Sequence, residues 1–157
     1  MTKLQPGEQL VKPLTNLPLG DLMRQALYRL VAYLDAALRD AGYSDVGSPQ
    51  VSVLATIDRD GSRLSTLVER GARTKQATAE LVGQLLERGY VAVTPDPTDR
   101  RAKLYRPTAS GEALLDVASR VVSGYEDWLD GMLGAERVGV LRDALATIVE
   151  DRQPPAR

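Results

Sequence analysis

LSTLVERGARTKQATAELVGQLLERGYVAVTPDPTDRRAKLYRP, residues 64–107, is the stretch that decides the fold. Its centre predicts a helix over Thr74–Arg88, with a polar start at Thr74, Lys75 and Gln76 and an inward row of Ala77, Leu81, Leu85 and Leu86, closed by Gly89. A shorter apolar repeat at Leu64, Leu67 and Val68 predicts a helix over Leu64–Arg70 that breaks at Gly71. Tyr90–Thr94 is dominated by aromatic and β-branched residues and predicts a strand. Pro95–Arg101 turns the chain, and Lys103–Arg106 alternates as a returning strand. Helix, tight turn, helix and a hairpin with a charged tip make a winged helix-turn-helix, an arrangement that serves to put one helix into a DNA groove.

Outward from this centre the pattern is helical on both sides. Leu19–Ala41 repeats apolar residues at helical spacing over about six turns of 3.6 residues. Pro18 suits its first turn and Gly42 its stop. The apolar stripe is wide enough to face two surfaces, its own domain and a second subunit. Ser48-Pro49 opens a second helix in cap-then-proline order, with Val51, Leu54, Ala55 and Ile57 inward and Asp60-Gly61 as its end. Downstream, Thr108–Glu112 starts a long helix whose inward residues are Leu114, Leu115, Ala118, Val121, Val122, Tyr125, Trp128 and Leu129. Met132-Leu133-Gly134 breaks it, and Ala135–Glu150 forms a last helix with Val138, Leu141, Leu145, Ile148 and Val149 inward. The expected fold is therefore mainly α (α+β): four helices, a strand–wing–strand hairpin and two more helices. Residues 18–47 and 108–152 are read as dimerisation helices and 48–107 as the winged helix-turn-helix, all in one intertwined domain, with an arm at 1–17 and a tail at 153–157.

Composition narrows the chemistry. The 157 residues contain no cysteine, which excludes disulfides, thiol oxidation as a trigger and cysteine-bound metal. They contain no histidine, the commonest general base and metal ligand. Adjacent carboxylates such as Glu126-Asp127 point apart on a helix and make no dyad, and there is no phosphate loop or nucleophile motif. An enzyme is not expected, nor is a cofactor. No apolar run approaches a membrane span and the first 22 residues lack a signal-peptide core, so a cytoplasmic protein without membrane contact is expected. The net charge is −1, yet Arg59–Arg106 holds ten Lys and Arg against six Asp and Glu, while the remainder holds ten against fifteen. Local positive potential of this kind is what a nucleic-acid surface needs.

Three blocks carry a family likeness: Arg73-Thr74-Lys75-Gln76-Ala77, Leu85–Val91, and Asp96-x-x-Asp99-Arg100-Arg101-Ala102-Lys103-Leu104 leading to Thr108-x-x-Gly111. Together they resemble the MarR family of bacterial transcriptional regulators, the wing motif being the specific part. The chain departs from the pattern at Arg73, where an apolar turn residue is common, at Val68 in place of alanine and at Pro107 in place of leucine. The resemblance implies a symmetric homodimer with interlocked terminal helices, bound to a palindromic operator on double-stranded DNA. It also implies repression released by a small aromatic or phenolic effector. By the same likeness Arg101 is the arginine that enters the minor groove, with Asp99 holding its guanidinium.

Physical chemistry supplies the other expected roles. Thr74 caps the recognition helix, leaving its first turn to meet a phosphate. Gln76 and Thr78 are expected to read bases, and Lys75 to take a base or a phosphate. Arg100 and Lys103 are expected on phosphates, where they add affinity without sequence information. Tyr28, Tyr33, Tyr125 and Trp128 are candidates to line an effector cavity between the long helices, although aromatic residues at helical spacing are more commonly core. The competing reading is a winged-helix protein-interaction module that does not read DNA.

Overall fold

The computed structural model describes residues 16–71, 73–99 and 101–150. The expected tail, and the expected arm apart from Asn16 and Leu17, lie outside them. Eight elements follow in the expected order: α1 (Leu19–Asp40), α2 (Ser48–Leu54), α3 (Leu64–Gly71), α4 (Lys75–Glu87), β1 (Val91–Pro95), β2 (Lys103–Pro107), α5 (Ala109–Leu133) and α6 (Ala135–Glu150). The first five helices each contribute one fully buried leucine, namely Leu38, Leu54, Leu67, Leu85 and Leu114. Burying one such side chain stabilises by about 2 kcal/mol, so this cluster is the common anchor of both long helices and the helix-turn-helix.

β1 and β2 pair antiparallel, with Val91 opposite Pro107 and Pro95 opposite Lys103. Ser62 adds a bridge on the other side of β2, exchanging both backbone hydrogen bonds with Tyr105 at 2.9 Å. The segment before α3 thus fastens the wing to the helix-turn-helix. The expected end of the second helix at Asp60-Gly61 is corrected accordingly: α2 stops at Leu54, and Gly61 is a turn glycine at φ +106° that delivers Ser62 to the sheet.

The cap of α2 is also corrected. Gly47, not Ser48, precedes the helix, and its N–H is satisfied by the Gln50 side chain at 3.1 Å. Ser48 instead gives its N–H (2.7 Å) and its hydroxyl to Asp35 of α1. Ala55 is exposed and Val53 takes the inward place. In α4 the inward residues are Thr78, Val82 and Leu85, while Leu86 is 39% exposed. On α5 only Gly111, Leu114 and Ala118 are buried, and on α6 only Val138. The row expected inside α6 therefore faces outward beyond Val138, whereas on α5 only Val122 and Trp128 of the expected row are exposed.

Candidate nucleic-acid interface

α4 begins at Thr74, whose backbone is extended (φ −65°, ψ 152°) and whose hydroxyl accepts the N–H of Ala77 at 3.2 Å. That satisfies one of the unpaired donors of the first turn. Lys75 and Gln76 follow on the exposed side, and Ala79 and Glu80 extend the same face at helical spacing. Thr78 does not join them. It is 1% exposed, and its hydroxyl donates to the Thr74 carbonyl at 3.1 Å, so the expectation that it reads bases is corrected. A β-branched threonine is accepted inside because its one polar atom bonds back to the preceding turn. Ala79, which carries no polar signal in the sequence, occupies the outward position instead.

The wing is built around a buried carboxylate. Asp96 is 4% exposed, and its Oδ1 accepts the N–H and the hydroxyl of Thr98, each at 2.7 Å. Its Oδ2 accepts from Arg63 just before α3, with Nε at 2.7 Å and Nη2 at 2.6 Å. The Thr98 hydroxyl, the Thr98 N–H and the Arg63 guanidinium together hold the Asp96 carboxyl down at about 2. At the tip, Asp99 accepts the backbone N–H of Arg101 at 3.0 Å, and Ala102 N–H reaches the Asp99 carbonyl at 2.9 Å. Asp99 was expected to hold the Arg101 guanidinium. It shapes the main chain of the turn instead, and among the described residues no ion pair joins the two side chains. Arg100 lies outside the described residues.

Arg101 and Lys103 are both exposed and line one hollow on the wing. Lys103 also lines a cleft of about 340 Å³ with Lys75, Arg63, Ser65 and Tyr105. The fold therefore brings the start of α4, the start of α3 and the wing to one place. Neither Lys75 nor Lys103 meets a carboxylate among the described residues, so both leave positive charge facing solvent. Arg70 differs: it is tied to Asp58 at 2.9 Å and to the Thr56 carbonyl at 2.8 Å. The Arg70 contact, with a further hydrogen bond from Ser62, lowers the Asp58 carboxyl below its ordinary value. Sequence reasoning gave no role to Arg63, Ser65, Ala79 or Asp96. The Arg63–Asp96 pair spans 33 positions, and no periodicity in a single sequence signals it.

Three of the four aromatic candidates come together. Tyr33 of α1 and Tyr125 of α5 lie with ring centroids 5.3 Å apart, Tyr125 and Trp128 likewise at 5.3 Å, and the three line a cavity of about 340 Å³. Tyr28 does not line it. Five residues along a helix amount to a rotation of about 140° from Tyr33. Tyr28 is 62% exposed under the Arg24 guanidinium, 5.8 Å from its ring centroid.

Comparison with known proteins agrees with this arrangement. A MarR family model matches residues 44–102. The transcriptional repressor NicR of Pseudomonas putida is 30% identical over 136 residues, which cover 82% of this chain and 85% of the relative. Among solved structures, the repressor CouR, known from Rhodococcus jostii and here bound to a 23-mer DNA duplex, superposes with a TM-score of 0.74 at 26% identity. That match covers 94% of this chain and 99% of CouR. BpsR of Bordetella bronchiseptica, whose DNA binding is regulated by 6-hydroxynicotinic acid, superposes at 0.69 with 28% identity, over 87% of this chain and 95% of BpsR. With its buried leucine cluster, capped α4 and anchored wing, this chain belongs to the MarR family of transcriptional regulators, which are not enzymes.

Proposed function

We propose that the protein is a homodimeric repressor that binds a palindromic operator, with α4 in the major groove and the wing in the adjoining minor groove. The observation that carries this reading is the meeting of Lys75 and Lys103 in one cleft, with Arg101 on the adjoining hollow, beside the outward face of α4. Gln76 reads a base edge, Ala79 is small enough to pack against a thymine methyl, and Lys75 and Lys103 neutralise phosphates. Arg101 enters the minor groove, where a narrow A·T-rich segment concentrates negative potential.

Dimerisation is supported by the outer faces of the long helices. Leu19 and Leu27 of α1 and Val140, Ile148 and Val149 of α6 are each more than half exposed. An unpartnered apolar surface of this kind calls for a second subunit. Tyr33, Tyr125 and Trp128 are the residues offered to a small aromatic effector. The cytoplasm is the proposed location, and among the described residues no helix is long and apolar enough to cross a membrane.

Selection of bound fragments from random duplex DNA tests the reading and returns the operator, with two half-sites about one helical turn apart. Affinity for that operator falls steeply as salt rises, because several phosphates are neutralised. Arg101→Ala weakens binding while folding and oligomeric state are unchanged. A protein-interaction module without DNA function would instead retain no duplex even at low salt.

A further inference from the structure

The charge on the interface is lopsided. On the wing side of α4 stand Lys75, Lys103 and Arg101. α2, Ser48–Leu54, packs against α4, lines neither hollow and has no basic residue of its own. A helix about 10–12 Å across in a major groove about 12 Å wide has a wall of phosphates on each flank. The α2 flank therefore needs a cation from elsewhere, and the turn between α3 and α4 supplies one.

Arg73 stands in that turn, immediately before the cap residue Thr74. Its guanidinium reaches across to α2, where Nη1 and Nη2 lie 3.4 and 3.3 Å from the exposed Ser52 hydroxyl. Nη1 is also 3.5 Å from the Gly71 carbonyl. These are long contacts at the edge of hydrogen bonding, and a guanidinium has five N–H donors to place. Arg63 and Arg70, the other arginines beside α3, are neutralised by Asp96 and Asp58. Arg73 meets no carboxylate among the described residues, so its charge is available to a partner.

We propose that Arg73, braced by Ser52, clamps a backbone phosphate on the α2 flank of α4, opposite the wing-side lysines. The assignment rests on the DNA-binding reading above and adds a contact that reading does not contain. The guanidinium fork suits a phosphate's paired oxygens, and Ser52 limits the rotamers of a long side chain so that less freedom is lost on binding. Because a phosphate carries no sequence information, the contact strengthens operator and non-specific duplex alike. Recognition then grips both walls of the groove at the N-terminal end of α4.

The test is a salt series of dissociation constants on the selected operator and on a scrambled duplex, for the parent, Arg73→Gln, Arg73→Ala and Arg73→Lys. Glutamine keeps a polar amide without charge, and lysine preserves charge without the fork. For Arg73→Gln and Arg73→Ala, the slope of log affinity against log salt becomes shallower by about 0.9 for each protomer bound, with equal fold-losses on the two duplexes. Arg73→Lys keeps the parental slope. A parental slope for Arg73→Gln, with folding and oligomeric state intact, overturns the clamp and leaves Arg73 as a brace for the turn. A loss confined to the operator also overturns it, because the residue would then be acting on base readout. Should the parent retain no duplex at low salt, the DNA-binding reading itself is what has failed. A variant that misfolds is set aside by circular dichroism, and the Gln and Lys pair decides.

Discussion

Gly111 leaves no room for a methyl group. A Cβ built there overlaps the Tyr90 carbonyl oxygen, which is backbone and cannot swing away. The same carbonyl accepts the N–H of Thr108 at 3.0 Å, while the Thr108 hydroxyl accepts the Gly111 N–H at 3.1 Å and donates to the Gly89 carbonyl at 2.7 Å. The Thr-x-x-Gly spacing is thus the joint that seats α5 on the end of α4 and the start of β1. Gly111→Ala is expected to lower stability by about 3 kcal/mol or more, and Thr108→Ala by about 1 kcal/mol, both read from the denaturant midpoint. Asp96 makes a separate prediction. Its folded value of about 2 lies below the ordinary 3.8, so the unfolded chain binds the extra proton in that interval. Its contribution to stability is fully present above pH 4 and is lost as pH falls towards 2. The melting temperature of Asp96→Asn should fall less over that window than the parent's; an identical pH profile would discard the role given to this carboxylate.

At the scale of elements, the wing is held by its root more than by its strands. Two five-residue strands are marginal by themselves. The Arg63–Asp96 pair and the Ser62–Tyr105 bridge tie both sides of the hairpin to the segment before α3. Arg63→Ala leaves the Asp96 carboxylate short of a partner and is expected to cost about 1–2 kcal/mol of stability. It also lowers operator affinity, since a loosened wing presents Arg101 less often in the right place. Anisotropy with a labelled operator checks this, and parental affinity would argue that the wing needs no such anchor. The cap of α4 is the other element-scale device, with Thr74→Ala expected to cost about 1 kcal/mol in a thermal or chemical melt.

At the scale of the molecule, the exposed apolar surface of α1, α5 and α6 is what the proposed dimer buries. Ile148 and Val149 are 53% and 79% exposed on a helix whose only buried residue is Val138. Light scattering at micromolar concentration should return a dimer. Ile148→Glu should shift the population to monomer and lose operator binding, since one reading head neutralises half the phosphates. A monomeric parent would remove the paired-head arrangement altogether.

The order of elements was legible from the residues alone, because helical spacing, Gly and Pro boundaries and a β-branched strand are local signals. Expected α1, α4, α5 and α6 agree with the structure to within a residue or two, and Thr74 caps α4 as its chemistry requires. The likeness at the wing likewise identified the family. Rotation about a helix axis was less legible: in Thr78-Ala79 one residue goes in and its neighbour out, and the buried back-bond to Thr74 settles which. Partnerships across the chain were not legible at all. Asp35 with Ser48, Arg63 with Asp96 and Arg73 with Ser52 are pairs that only the packed core brings within reach. Local pattern therefore determined which segments form and in what sequence they run. Tertiary structure alone decided which charges are neutralised within the fold and which are left for a partner, because that depends on distances between residues far apart in the chain.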